Sequence, residues 1–346
     1  GKLAAATARA GALGSIAMPL LRGQVQKSDA LDPCGSLAQL AREVATFRAE
    51  APRGAPLCVG FVEDHCVQRR GDFSIIADAV LSERPEFVQL FAPASNELVR
   101  EIRARCEGAG RPTPVIMAQT GCVGEAKRLI DQAKVDVVIA QGTEAGGHGL
   151  HLKLGSGTLP LARRVAQLAR DSDRKPLVLA AGGIVDGAGA AAAVVLGCDG
   201  AVLGTRLWAT HQAMGAQEKK DDLVTADADD AVRSKLYDQL NNRVQSEMER
   251  GILWRYPYDT CGVIEVGQEA GAGADSRPEP ESELEFFPEL SADDAKALVA
   301  RRFRLAGKGV GSIGAIGDAE AITREIGQQL IEEIERAHRL VQQLKM

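Results

Sequence analysis

Few side chains in this sequence combine reactive chemistry with a suitable setting, and His148 leads them. It lies in residues 141–149 (QGTEAGGHG), a polar, glycine-rich segment directly after an apolar run. An imidazole with an ordinary pKa of about 6.5 can accept or release a proton at neutral pH. A lone histidine is more often structural, but the glycines here bring the backbone close to something. Glu144 and His151 share the segment and read equally well as solvated loop residues. His65, His211 and His338 have no such setting. Two glycine clusters suggest an anion. Residues 180–183 (AAGG) end one apolar run, just before a helix that starts near Asp186, and residues 204–206 (GTR) end the next. Glycine permits close backbone approach, and helix starts carry free N–H groups. One cluster alone would mean a tight turn; two at successive strand ends favour a bound phosphate. Gln119 and Gln141 also end apolar runs. Their amides can bond a heteroaromatic ring, or simply satisfy loop backbone, which spacing alone favours. Cys122 has no basic neighbour and reads as a packed thiol.

These residues need a scaffold that gathers strand ends. Seven apolar, β-branched runs begin near residues 14, 56, 87, 114, 136, 177 and 200. Most lack polar alternation, as parallel strands covered on both faces do. Amphipathic helix patterns lie between them, at residues 36–48 and 96–106 among others. Alternating strands and helices imply a parallel α/β fold. Phosphate sites in (β/α)₈ barrels often form after strands seven and eight. If one strand precedes Gly1, the two glycine clusters end those two strands. The expected fold is therefore a (β/α)₈ TIM barrel lacking its first strand, preferred over an open doubly wound sheet. Residues 1–206 and 307–346 make the barrel. Residues 207–306 make a smaller insertion, mostly helical and irregular. Within it, 267–285 is a loop rich in Gly, Pro and Glu, and 291–305 a helix opened by Ser291. A final helix spans about 318–344, with Ile322, Ile326, Leu330, Ile334 and Leu340 on one face.

Composition narrows the function. The chain has 346 residues, 45% hydrophobic and 25% charged, which fits a globular protein. No apolar run reaches the roughly 18 residues of a membrane span. Lys and Arg number 41 against 47 Asp and Glu, without a basic stripe, and aromatics are 4%. Neither phosphate tracking nor base stacking on nucleic acid is served. Seven scattered Cys with no CxxC pair read as reduced thiols, and no metal-ligand spacing is visible, so an intracellular, cytoplasmic setting is expected. P-loop, HExxH, GxSxG and kinase motifs are absent. The carboxylate pairs Asp221–Asp222 and Asp229–Asp230 read as solvated surface.

Residues 136–149 (DVVIAQGTEAGGHG) and 176–210 (PLVLAAGGIVDGAGAAAAVVLGCDGAVLGTRLWAT) resemble the nitronate monooxygenase family, formerly called 2-nitropropane dioxygenases. Residues 2–16 are similar to the segment after the family's first strand, and 307–317 to its closing segment. The likeness is good over 2–210 and weakest over 215–300. The resemblance implies an FMN-dependent (β/α)₈ barrel in which His148 is the catalytic base. It implies that Gly182, Gly183, Gly204 and Thr205 hold the flavin phosphate, and that Gln119, Gln141 and Gly147 line the flavin. The implied reaction oxidises alkyl nitronates, and nitroalkanes, with O₂ to carbonyl compounds and nitrite. The partners implied are that small-molecule substrate and O₂. The family's first strand, which lies along the flavin, has no counterpart here. Alternatives are a related FMN barrel that reduces an enoyl thioester or quinone with NAD(P)H, a non-catalytic barrel without cofactor, and an unrelated phosphate-binding aldolase or isomerase. Physiological substrate, NAD(P)H use and oligomeric state stay open.

Overall fold

Unbroken aliphatic runs make stable strands only where both faces of the sheet are covered. The computed structural model describes residues 1–17, 34–63, 73–91, 94–235, 237–238, 258–264 and 303–344. Within these, all seven apolar runs are strands: β1 (Ser15–Ala17), β2 (Cys58–Val62), β3 (Phe87–Phe91), β4 (Val115–Thr120), β5 (Val137–Gln141), β7 (Leu177–Ala181) and β8 (Gly200–Val202). They pair in parallel, in the order β1-β2-β3-β4-β5-β7-β8. Helices follow them: α2 (Cys34–Glu50), α3 (Phe73–Leu81), α4 (Asn96–Gly108), α5 (Val123–Arg128), α6 (Thr158–Asp171) and α7 (Gly187–Val195), with α1 (Lys2–Arg9) before β1. Neighbouring parallel strands in chain order, joined by helices, are the rule of the (β/α)₈ barrel. The sheet curls as a half-barrel; among the described residues β8 and β1 do not pair.

Strand alternation sorts the core into two layers. Val138 and Ala140 of β5 face the outer helices, where Leu98 and Ile102 of α4 and Leu161 and Val165 of α6 are buried. Val137 and Ile139 face inward, beside Cys58, Met117 and Ala181. Gln141 continues that inward set from β5, and Gln119 continues Val115 and Met117 of β4. Period two therefore delivers both amides to the barrel interior at the strand ends.

A second, antiparallel sheet lies at this end. It is built from β6 (Gly147–Leu150), β9 (Ala231–Ser234), β10 (Tyr258–Ile264) and β11 (Phe303–Leu305), with β10 pairing all three others. Residues 207–306, expected to be mostly helical, include the end of α8 (Thr205–Trp208) and α9 (Gln217–Thr225), but among the described residues they also hold β9, β10 and β11, while β6 falls in the segment read as a loop. The loop expected over 267–285 and residues 291–302 of the helix expected over 291–305 lie outside the described residues, while 303–305, expected to end that helix, form β11 instead. The last helix, α10 (Ala319–Leu344), packs on α7 and α1. Its apolar stripe is buried only at Ile322 and Ile326; Leu340 is exposed. Among the described residues no helix is long and apolar enough to cross a membrane, and no acidic, His or Cys cluster could hold a metal.

Leu161 is fully buried between α6 and the sheet. Leu161→Ala should lower the unfolding free energy by about 2–5 kcal/mol, measured by chemical denaturation; a loss below about 1 kcal/mol would contradict this layer as the core.

Candidate functional site

A cavity of about 370 Å³ opens at the ends of β4, β5, β7 and β8. Its walls include Gln119, Gln141, Gly147, Gly182, Gly183, Gly204 and Thr205, so seven of the eight candidate site residues meet there. Ala145, Gly146, Trp208 and Gly309 complete much of the rest. His148, the eighth, is not part of the wall, but its chain neighbour Gly147 is.

The glycines have distinct reasons to be glycine. Gly182 has φ +113, and a Cβ there would sit 2.6 Å from Thr158 Oγ1. Gly147 has φ +73, which turns the chain out of the β5 loop into β6. A Cβ on Gly204 would meet nothing within 4 Å, so space is open beside it. The segment after β11 seals the wall. Gly307 N–H donates to Thr205 Oγ1 (3.0 Å), and Lys308 N–H to the carbonyl of Glu144 (2.9 Å). Glu144 is no solvated loop residue: its carboxylate accepts from Thr158 N–H (2.8 Å) and Thr158 Oγ1 (2.9 Å), closing the loop onto α6. The start of α7, expected to offer free N–H groups, is already occupied. Asp186 accepts from Gly189 N–H (2.8 Å), and Gln329 accepts from Gly187 N–H (3.1 Å). Asp is a favoured N-cap, and a carboxylate there displaces an anion. The glycines at 182, 183 and 204 line the cavity instead.

The two amides play different parts. Gln119 Oε1 accepts from Gln89 Nε2 (3.1 Å). Gln141 Nε2 donates to the carbonyl of His148 (2.9 Å), which fixes the amide's orientation. Its Oε1 is buried and has no hydrogen-bond partner among the described residues. A buried amide oxygen without a donor is costly, and a ligand N–H is the natural remedy.

His148 stands on β6, not in a loop, directly opposite Thr260 of β10. Its Nε2 lies 2.9 Å from Asp238 Oδ1, and Thr260 Oγ1 donates to the same oxygen at 2.9 Å. The Tyr237 ring meets the imidazole edge-on, centroids 6.2 Å apart. The opposite face of the same strand pair carries Arg233, buried, which donates to the carbonyls of Thr143 (2.9 Å), Ala145 (2.5 Å) and Asp259 (2.7 Å). A Cβ on Gly149 would lie 2.9 Å from that guanidinium. Arg233 thus ties the cavity loop to the second sheet. Burial pushes its pKa down, against the opposing pull of nearby anionic groups, including Asp259 and Asp238. His151, also buried, has Nε2 3.8 Å from Asp259 Oδ2. Burial pushes the Asp259 carboxyl up, helped by Asp238 and opposed by His151, Lys235 and Arg233.

Arg233, Asp238, Asp259 and Thr260 escaped the sequence because they sit 85 or more positions from the loop they serve, and charged residues past 206 read as surface. In 258–264 (YDTCGVI) polar and apolar types do not alternate, and residues 258–262 are all buried, so no period marked the strand. Of the other candidates, Cys122 is a half-buried free thiol, His338 lies beside the exposed Gln342 on α10, and His65 lies outside the described residues.

Comparison with known proteins adds a family. A family model described as nitronate monooxygenase matches residues 78–275. The nitronate monooxygenase npaC of Metarhizium robertsii is 34% identical over 338 residues, covering 94% of this chain and 86% of that protein. FabK from Thermotoga maritima superposes with a TM-score of 0.68 at 20% identity, covering 98% of this chain and 91% of that one. A nitroalkane oxidase from Streptomyces ansochromogenes gives 0.65 at 18% identity, covering 97% and 93%. At these identities the two structures establish the fold.

The raised Asp259 carboxyl gives a signed prediction. A carboxyl whose folded pKa lies above its unfolded value of about 3.9 favours folding while protonated. That contribution is complete below the unfolded value and is lost as pH rises through the folded value. Asp259→Asn cannot titrate, so its unfolding free energy relative to wild type should rise over that window, read by denaturation at a series of pH values. A flat or falling difference would contradict the burial argument.

Proposed function

The chain belongs to the nitronate monooxygenase family, and on that premise we propose that it binds FMN in the glycine-lined cavity and oxidises alkyl nitronates, and nitroalkanes, with O₂ to carbonyl compounds and nitrite. The supporting observation is the lone Gln141 Oε1 in the cavity wall. An acceptor fixed by the amide's other bond suits the N–H of a flavin ring, and the residues present fit the group. Gly182, Gly183, Gly204 and Thr205 would hold the phosphate through backbone groups, while Gln119, Gln141 and Gly147 would line the ring. Once bound, the flavin would supply the redox chemistry, taking electrons from the nitronate and passing them to O₂.

The chain's own residues would bind, orient and move protons. His148 would take the proton from the carbon beside a nitro group, turning a neutral nitroalkane into its nitronate. The Gln141 bond to the His148 carbonyl holds the strand bearing that base against the cavity wall. Loop 143–146, fixed by Arg233, Thr158 and Lys308, brings Ala145 and Gly146 into the cavity wall. The cysteines at 58, 106, 122, 198 and 261 are free thiols, which suits an intracellular site of action.

Oxygen uptake driven by a nitronate, compared with NADH consumption on an enoyl thioester or quinone, tests the reaction. Uptake with nitrite release is expected; NADH consumption without it would move the chain to the reductase alternative. Two variants test the residues. His148→Ala should retain flavin while slowing neutral nitroalkanes by about 10²-fold or more; unchanged turnover would remove His148 from the chemistry. Gln141→Leu should weaken FMN binding by about 2- to 10-fold, read by fluorescence titration, and unaltered affinity would contradict its place at the ring.

A further inference from the structure

We propose that Asp238 is the positioning residue for His148: it holds the imidazole in the tautomer with hydrogen on Nε2, and so makes Nδ1 the nitrogen that receives the substrate's proton. The proposal rests on His148 being the base, as proposed above. The geometry begins with the strand pair. His148 and Thr260 face each other across β6 and β10, and both reach Asp238 Oδ1 at 2.9 Å. Asp238 is 2% exposed. An ionised carboxylate only accepts, so both groups must donate, and the hydrogen of a neutral imidazole is committed to Nε2. Its basic lone pair then belongs to Nδ1.

The distribution of bonds on the carboxylate separates this from a general stabilising role. Asp238 Oδ2 is buried and has no hydrogen-bond partner among the described residues. His148 Nε2–H and Thr260 Oγ1–H converge on the one oxygen that faces the histidine. A carboxylate placed only to anchor its own segment would gain more by using both oxygens. Two neighbours act on the charge of Asp238: the buried Arg233 guanidinium favourably, and the Asp259 carboxyl unfavourably. Tyr237, next to Asp238 in the chain, closes the edge of the ring.

The step balances without an oxidant. The C–H bond beside the nitro group breaks, and its electron pair moves onto the nitro group to give the nitronate. The proton joins Nδ1, leaving an imidazolium whose Nε2–H still points at Asp238. The carboxylate offsets the new positive charge without taking the proton. A nitronate supplied ready-made skips this step, so Asp238 should matter for nitroalkanes and not for nitronates.

The test uses the flavin-loaded enzyme and its Asp238→Asn, Asp238→Glu, Thr260→Val and His148→Ala variants. Asp238→Asn should lower kcat on a neutral nitroalkane by about 10- to 100-fold. Its kcat on the preformed nitronate should stay within about twofold of wild type. Asp238→Glu should restore part of the nitroalkane rate. In ¹⁵N-histidine spectra, wild-type His148 should carry its hydrogen on Nε2, and Asp238→Asn should lose that preference. Thr260→Val, which removes one donor from Oδ1, should shift both readouts the same way by less. It carries the test if Asp238→Asn fails to fold or to retain flavin. Wild-type nitroalkane turnover in Asp238→Asn, an equal loss on both substrates, or hydrogen on Nδ1 in the wild type would overturn the proposal. So would an unaltered Thr260→Val where that variant carries the test. Retained nitroalkane turnover in His148→Ala would instead overturn the assignment of the base.

Discussion

The hydrogen bond from the Gln141 amide nitrogen to the His148 carbonyl, 2.9 Å, ties a barrel strand end directly to the strand that carries the imidazole. It crosses from the last residue of a barrel strand to the second residue of β6. It joins the parallel sheet to the antiparallel one and sets the distance between cavity wall and imidazole strand. It also commits the amide's orientation, because a carbonyl can accept only from the nitrogen end. The oxygen end is thereby left buried and waiting for a donor. A strand-end glutamine with both ends satisfied by protein would close the cavity chemically even with its volume intact.

Around that bond the structure concentrates groups that would be costly elsewhere. Arg233 is buried with its guanidinium on three backbone carbonyls. Asp238 and Asp259 are buried with one carboxylate oxygen each lacking a partner among the described residues. Isolated buried charges are strongly disfavoured, so such a cluster persists only where opposite charges and carbonyls compensate it. Its members come from β9, β10 and the segment at 237–238, elements of the second sheet. The barrel supplies the cavity and the second sheet supplies the electrostatics.

Much of the scaffold was legible in the sequence for a plain reason. A parallel strand covered on both faces must be apolar at every position, and residues 137–141 (VVIAQ) are buried throughout. Such runs stand out, and all seven were readable. Helix α4 was legible from its apolar spacing, and its Ser95 cap accepts from Leu98 N–H as its type predicts. The glycine clusters were legible as close-approach points because few other demands require glycine at two successive strand ends. Strand β6 was not legible: GHGL has neither alternation nor β-branching, and it is a strand only because β10 lies beside it. The N-terminus of α7 misled, since its glycines suggested openness while Asp186 and Gln329 already fill it. The partner of His148 lies 90 positions away, a distance that no local spacing rule spans.

The proposed function needs a flavin in the glycine-lined cavity with its ring within reach of Gln141. The most direct measurement is the visible absorption spectrum of the purified chain as FMN is added. A saturable perturbation of the flavin bands at one equivalent, diminished in Gln141→Leu, is the result the account predicts. A colourless protein that leaves the spectrum of added FMN unaltered at every ratio would contradict it.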